Sequence, residues 1–196
     1  MTPFGLMAVL TAAVYLAFKA WTWRPLPAVR AAAYLLFWPG MDPEPFRRRR
    51  PAPEPGGGSV RASGLFAGGI LRALAGVALL SLPSGRPLLD ALSRLAGVGL
   101  LVHFGLCDVL AAAWRRRGVA VERLFDRPSA SRTLAEFWGR RWNRAFSTVA
   151  RERVFRPLAR RWGPAAASLG TFAFSGLVHE LLLSVPAGGG YGGPTA

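Results

Sequence analysis

Apolar residues in this chain gather into four long stretches, at about 3 to 23, 64 to 82, 88 to 113 and 165 to 185. Each is near the ~20 residues that a helix needs to cross the hydrocarbon core of a bilayer. The pattern predicts an all-α, polytopic membrane protein with about four transmembrane helices, in a single membrane-embedded domain over residues 1–196. A shorter apolar piece, Ala31 to Trp38, cannot cross and is stopped by Pro39-Gly40, so a re-entrant or interfacial helix is expected near 30–38. Four arginines, Arg47 to Arg50, then run into alternating Pro and Gly, a composition that buries nothing and predicts a flexible linker over 47–63. The glycine-rich end, residues 186–196, is expected to be a flexible tail.

A different period appears between the last two spans. From Leu134 the apolar positions fall at 134, 138, 142, 145, 146 and 149, which stripes one face of a helix, while Arg140, Asn143, Arg144, Ser147 and Arg151 take the other. Thr133 or Ser131 is placed to cap it, and Glu136 lies in its first turn, where the helix dipole favours an acid. The reading is a cytoplasmic amphipathic helix near 133–151 lying at the membrane surface.

Charge fits this arrangement. The chain is 52% hydrophobic yet carries a formal charge of +15, and the two separate along the sequence. Basic residues crowd 24 to 63 and 114 to 163, where fourteen arginines face four acids, whereas the 83 to 87 turn has only Arg86 and the tail has no basic residue. Basic and neutral loops thus alternate, as the positive-inside bias requires of four spans with both termini outside. Lys19, Trp21, Trp23 and Arg24 follow the first apolar run where a cleaved signal would show small residues, so it reads as a retained anchor. The Arg, Ala, Gly and Pro bias, with one lysine, suggests a bacterial inner-membrane protein. The flanking spans make membrane lipids, not nucleic acid, the partner of the basic segments. Cys107, the only cysteine, excludes an intramolecular disulfide.

Ionisable groups inside apolar stretches are costly and mark functional candidates. His179 beside Glu180, in the run FSGLVHELL, is the foremost. Arg72 in the second span and His103 with Asp108 in the third are the others, for which pairing between neighbouring helices is the structural expectation.

The run EFWGRRWNRAF at Glu136 to Phe146, followed by VFRPL at Val154 to Leu158 and SGLVHEL at Ser175 to Leu181, resembles the wax synthase branch of the membrane-bound O-acyltransferase superfamily. The upstream LLFWPGMDPEPF and LLVHFGLCDVL resemble the same branch. The resemblance implies two catalytic positions, Asn143 and His179, and transfer of a fatty acyl group from acyl-CoA, a co-substrate, to a hydroxyl acceptor, foremost a long-chain alcohol. It implies neither cofactor nor metal. Chemistry agrees with the residue types: a neutral imidazole can take the hydroxyl proton, and an uncharged carboxamide can donate to the developing oxyanion or orient the acceptor. Glu180 is expected to hold a structural bond or to tune the imidazole, and His103 to line the site at one remove. Arg140, Arg141 and Arg144, with Trp138 and Trp142, are candidate substrate contacts on the basic helix, the arginines for CoA phosphates; inward-facing topology charge is their plainer reading.

The resemblance also implies further spans after the histidine-bearing helix, so a shortened or truncated fold is expected. Homodimerisation, a partner subunit, or an inactive scaffold role follow as alternatives, and a small transporter is the remaining one.

Overall fold

The computed structural model describes residues 2–48, 57–82 and 85–193. Among them the chain is helical, without strands: α1 (Pro3–Trp21), α2 (Ala28–Phe37), α3 (Glu44–Arg47), α4 (Gly57–Ser81), α5 (Pro87–Val98), α6 (Cys107–Arg116), α7 (Leu134–Glu136), α8 (Arg144–Val149), α9 (Arg156–His179) and α10 (Val185–Ala187). Wider π-type turns at Gly99–Leu106, Phe137–Arg141, Ala150–Phe155 and Glu180–Ser184 interrupt or extend them. Four stretches are long and apolar enough to cross a membrane, Pro3–Trp21, Ala62–Ser81, Pro87–Arg116 and Arg144–Ala187, in agreement with the four apolar runs of the sequence. The fold is therefore all-α and polytopic. It divides into two compact units, one of Met1–Trp23 with Ala145–Ala196, the other Arg24–Arg144.

In the Arg24–Arg144 unit, α4 lies against the continuous helix made by α5, the π turn and α6, backbone to backbone. A Cβ on Gly76 would stand 2.5 Å from Leu101 N and 2.6 Å from Gly97 O, and one on Gly105 would stand 2.8 Å from the Ala73 Cβ. Apolar side chains have no water to escape inside a bilayer, so close approach of this kind is what holds two spans together. Gly76→Leu is expected to force the pair apart at a cost of about 1–3 kcal/mol or more. Thermal melting in detergent checks this, with Gly64→Leu, where nothing lies within 4 Å, as the silent control.

The same unit buries Tyr34, Trp38, Phe46, Ala111 and Ala112. Tyr34 and Trp114 each meet the Phe46 ring edge-on, at 5.7 and 5.1 Å. Trp114 Nε1 donates to Phe37 O at 3.0 Å, and Arg30 Nη1 donates to Arg47 O at 3.1 Å. Helix α2 is thus docked by one face while Val29 and Leu36 stay 84% and 72% exposed. Its ten residues span about 15 Å, half a hydrocarbon core.

In the other unit, Thr2 caps α1 by accepting from Gly5 N at 3.1 Å, with Pro3 in the first turn, where no N–H is needed. Phe18 of α1 meets Phe146 and Phe174 at 6.0 and 6.1 Å. Helix α9 is bent at Gly163, whose φ of 82° and ψ of 168° are not helical, and Pro164 restarts it. The last apolar run therefore begins where the sequence places it.

Three expectations need correction. The amphipathic helix near 133–151 is not one helix: it breaks at Trp142 and Asn143, because bonds from a distant loop turn the backbone there. The linker expected over 47–63 is shorter, since α3 includes Arg47 and α4 starts at Gly57; residues 49–56 lie outside the described residues. Gly and Ser count as breakers by composition, yet first-turn N–H groups have no partner within a helix in any case, so both are tolerated there. The tail expected to be flexible over 186–196 is folded as far as Gly193: α10 ends on Gly188 at φ 66°, and Glu180 Oε1 accepts from Gly192 N at 2.7 Å.

Candidate functional site

The segment carrying Asn143 begins with a cap. Thr133 Oγ1 accepts from Glu136 N at 3.0 Å, while the Glu136 carboxylate accepts from Arg132 N at 2.9 Å and from Arg141 Nε at 2.8 Å. The π turn closes with Trp142 N donating to Phe137 O at 2.8 Å. Trp142 is then extended and Asn143 stands at φ 40°. This left-handed conformation costs most L-residues about 1–2 kcal/mol, and asparagine is among the few that adopt it. Two backbone bonds flank it: Asp126 N donates to Arg141 O at 2.8 Å, and Arg144 N donates to Leu124 O at 2.9 Å.

The Arg132 amide, then the Arg141 guanidinium, hold the Glu136 carboxyl below the usual glutamate range. A depressed carboxyl stabilises the fold at pH above its ordinary value and loses that contribution as pH falls through the lowered one. Glu136's share of the stability is therefore expected to be complete above the ordinary glutamate range, to begin falling as the pH enters that range, and to be gone once the pH is below the lowered value. Glu136→Gln removes that part of the acid response, as a pH series of melting curves would show.

Aromatic rings surround Trp142. It stacks on Phe137 at 5.5 Å and meets Phe125 edge-on at 5.2 Å. His103 lies 4.6 Å from the Phe125 ring and 6.2 Å from Trp142, so it joins the cluster beside Asn143. Trp138 packs on Phe137 at 4.8 Å and remains exposed.

The arginines divide. Arg141 is turned inward, its Nη2 2.7 Å from Glu136 Oε1 and its Nη1 donating to Asp126 O at 3.3 Å. Arg144 pairs with Glu122. Arg140 is exposed.

Asp108 does find partners on neighbouring segments. Arg72 of α4 donates to its Oδ2 at 2.7 Å. Arg123 approaches it as a fork, Nε to Oδ1 at 2.9 Å and Nη2 to Oδ2 at 2.7 Å, and its Nη1 donates to Asp126 Oδ1 at 3.1 Å. Sequence reasoning missed Arg123 and Asp126. The signal was the scarcity of acids in a basic segment, since Glu122, Asp126 and Glu136 each hold an arginine.

His179 belongs to the other unit, at the end of α9 where the helix widens into its π turn. Its Nδ1 lies 2.7 Å from Ser175 O, one turn back. A carbonyl oxygen only accepts, so Nδ1 carries the proton of the neutral ring and Nε2 keeps its lone pair. The ring meets Phe146 edge-on at 6.4 Å and is otherwise exposed; its own unit does not close an apolar chamber around it. Glu180 holds a structural bond, that to Gly192 N. No cluster of His, Cys, Asp or Glu that could hold a metal ion occurs among the described residues.

Residues 121–191 match the model of the membrane bound O-acyl transferase family. An acyl-CoA–sterol O-acyltransferase of Arabidopsis thaliana is 34% identical over 92 residues, 41% of this chain and 27% of the relative. A probable long-chain-alcohol O-fatty-acyltransferase of the same plant is 37% identical over 73 residues, 33% of this chain and 21% of its own. The long-chain-alcohol O-fatty-acyltransferase of Simmondsia chinensis is 37% identical over 65 residues, 29% of this chain and 18% of its own. The matches thus span about a quarter or less of the length of these relatives. No solved structure matches the chain.

Proposed function

We propose, from the match of residues 121–191 to the membrane bound O-acyl transferase family and the similarity to long-chain-alcohol O-fatty-acyltransferases, that this chain transfers a fatty acyl group from acyl-CoA to the hydroxyl of a membrane-dissolved acceptor, a long-chain alcohol first of all. The observation that carries this reading is the bond from His179 Nδ1–H to Ser175 O, which leaves Nε2 free to act as a base within an apolar helix.

In the proposed step Nε2 takes the hydroxyl proton as the alcohol oxygen bonds to the thioester carbonyl carbon. The carbonyl oxygen carries the negative charge, and the Asn143 carboxamide is the uncharged donor assigned to it. Collapse breaks the C–S bond, and the imidazolium returns its proton to the CoA sulfur. An alcohol dissolved in lipid reaches an exposed ring from the side, past exposed Phe172, Leu177 and Leu183. Arg140, exposed where Arg141 and Arg144 are held by acids, is the arginine assigned to the CoA phosphates.

The test is ester formation by the full chain in lipid nanodiscs, with radiolabelled palmitoyl-CoA and either hexadecanol or a sterol. Labelled wax ester is the expected product. A sterol ester alone would overturn the choice of acceptor, and no ester on either acceptor would overturn the reading.

A further inference from the structure

The carboxylate of Asp108 is 1% exposed and receives two guanidinium groups, a costly arrangement that well-packed apolar side chains could replace without loss of stability. What an apolar replacement would lose is direction. Arg123, 17% exposed, spends three N–H groups on two acids: Nε and Nη2 on Asp108 in the membrane-spanning helix, and Nη1 on Asp126 in the loop. The loop so fixed is the one whose Asp126 N–H and Leu124 C=O hold Arg141 O and Arg144 N, the residues on either side of the left-handed Asn143. Val121, Leu124 and Phe125 are buried, so the loop is seated and not merely tethered.

We propose that Asp108, acting through Arg123 and Asp126, is a positioning residue that sets the direction of the Asn143 carboxamide from the membrane-spanning helix. The inference rests on the reading of Asn143 as a catalytic group. Guanidinium is required because its planar fork addresses both acids at once, which the single point charge of an ammonium does not.

Arg123→Lys in the full chain is the test, because it keeps the charge beside Asp108 and gives up the three-point reach. The kcat for ester formation is expected to fall about tenfold or more, as small misplacements of catalytic groups do, with the KM for palmitoyl-CoA within about twofold. A double-mutant cycle then separates positioning from general support: in an Asn143→Ala background the lysine is expected to change kcat by less than about twofold. Hydrogen exchange at the Asp126 and Arg144 amides is the second readout, expected to quicken about tenfold in Arg123→Lys while amides of α4 keep their rates. An unchanged kcat in Arg123→Lys, a loss that multiplies with that of Asn143→Ala, or unchanged exchange at both amides would each overturn the proposal. Should Asn143→Ala itself keep full turnover, the catalytic reading of Asn143 fails and this inference falls with it. If instead Asn143→Ala loses turnover and Arg123→Lys does not, the inference alone fails.

Discussion

Replacing His179 with alanine is expected to lower ester formation by about 10²–10⁴-fold, the usual worth of a positioned general base. Melting in detergent is expected to stay where it was, because the ring is exposed and its hydrogen bond runs within its own helix to Ser175 O. His179→Gln sharpens the test: glutamine offers a donor to the same carbonyl and similar bulk, but no basic lone pair at neutral pH. Both variants should lose turnover alike, with little change in the KM for palmitoyl-CoA, since the proton moves in the transition state and not on binding. A glutamine variant keeping more than a tenth of the turnover would assign the histidine to packing against Phe146 and leave the base to be found elsewhere.

Why the sequence indicates this residue and not its surroundings follows from what hydropathy measures. A run such as FSGLVHELL is apolar on every side, so it places His179 inside a span without saying which face it takes; Leu177 and Leu183 are exposed as well. The spans themselves are legible because crossing a bilayer depends on a sum over about twenty residues, which local detail does not disturb. The kink at Gly163-Pro164 went unread, although its signal is local: a glycine followed by a proline opposes a continuous helix by sterics alone. The break at Asn143 is not legible. The spacing 134, 138, 142, 145, 146 and 149 continues across it as though one helix ran through, while the bonds that turn the chain come from Leu124 and Asp126. A periodicity reports which side of a helix is apolar, and it is silent about a reversal imposed from a loop far back in the chain. The tail fails for the same reason: a glycine-rich composition says nothing of the Glu180 carboxylate that gathers Gly192. Asp108 was legible as a costly group, and its partner Arg123 was hidden among thirteen other arginines of residues 114–163.

Removing the Asn143 carboxamide is expected to cost about 10²–10³-fold in kcat, the measured scale for one oxyanion donor. Three substitutions separate the side chain from the backbone it stands on. Asn143→Gly keeps the left-handed conformation without strain and lacks the amide; Asn143→Ala lacks the amide and adds about 1 kcal/mol of strain at φ 40°. Asn143→Asp tolerates the same backbone but sets a negative charge where negative charge develops. All three should lose turnover by at least the same hundredfold, whereas melting should fall only for alanine, because the flanking bonds to Leu124 and Asp126 survive in each. If the glycine variant keeps turnover, the left-handed turn is what matters at this position and the carboxamide is not a donor. If it loses turnover with an unchanged melt, the clasp of loop and helix exists to aim one amide.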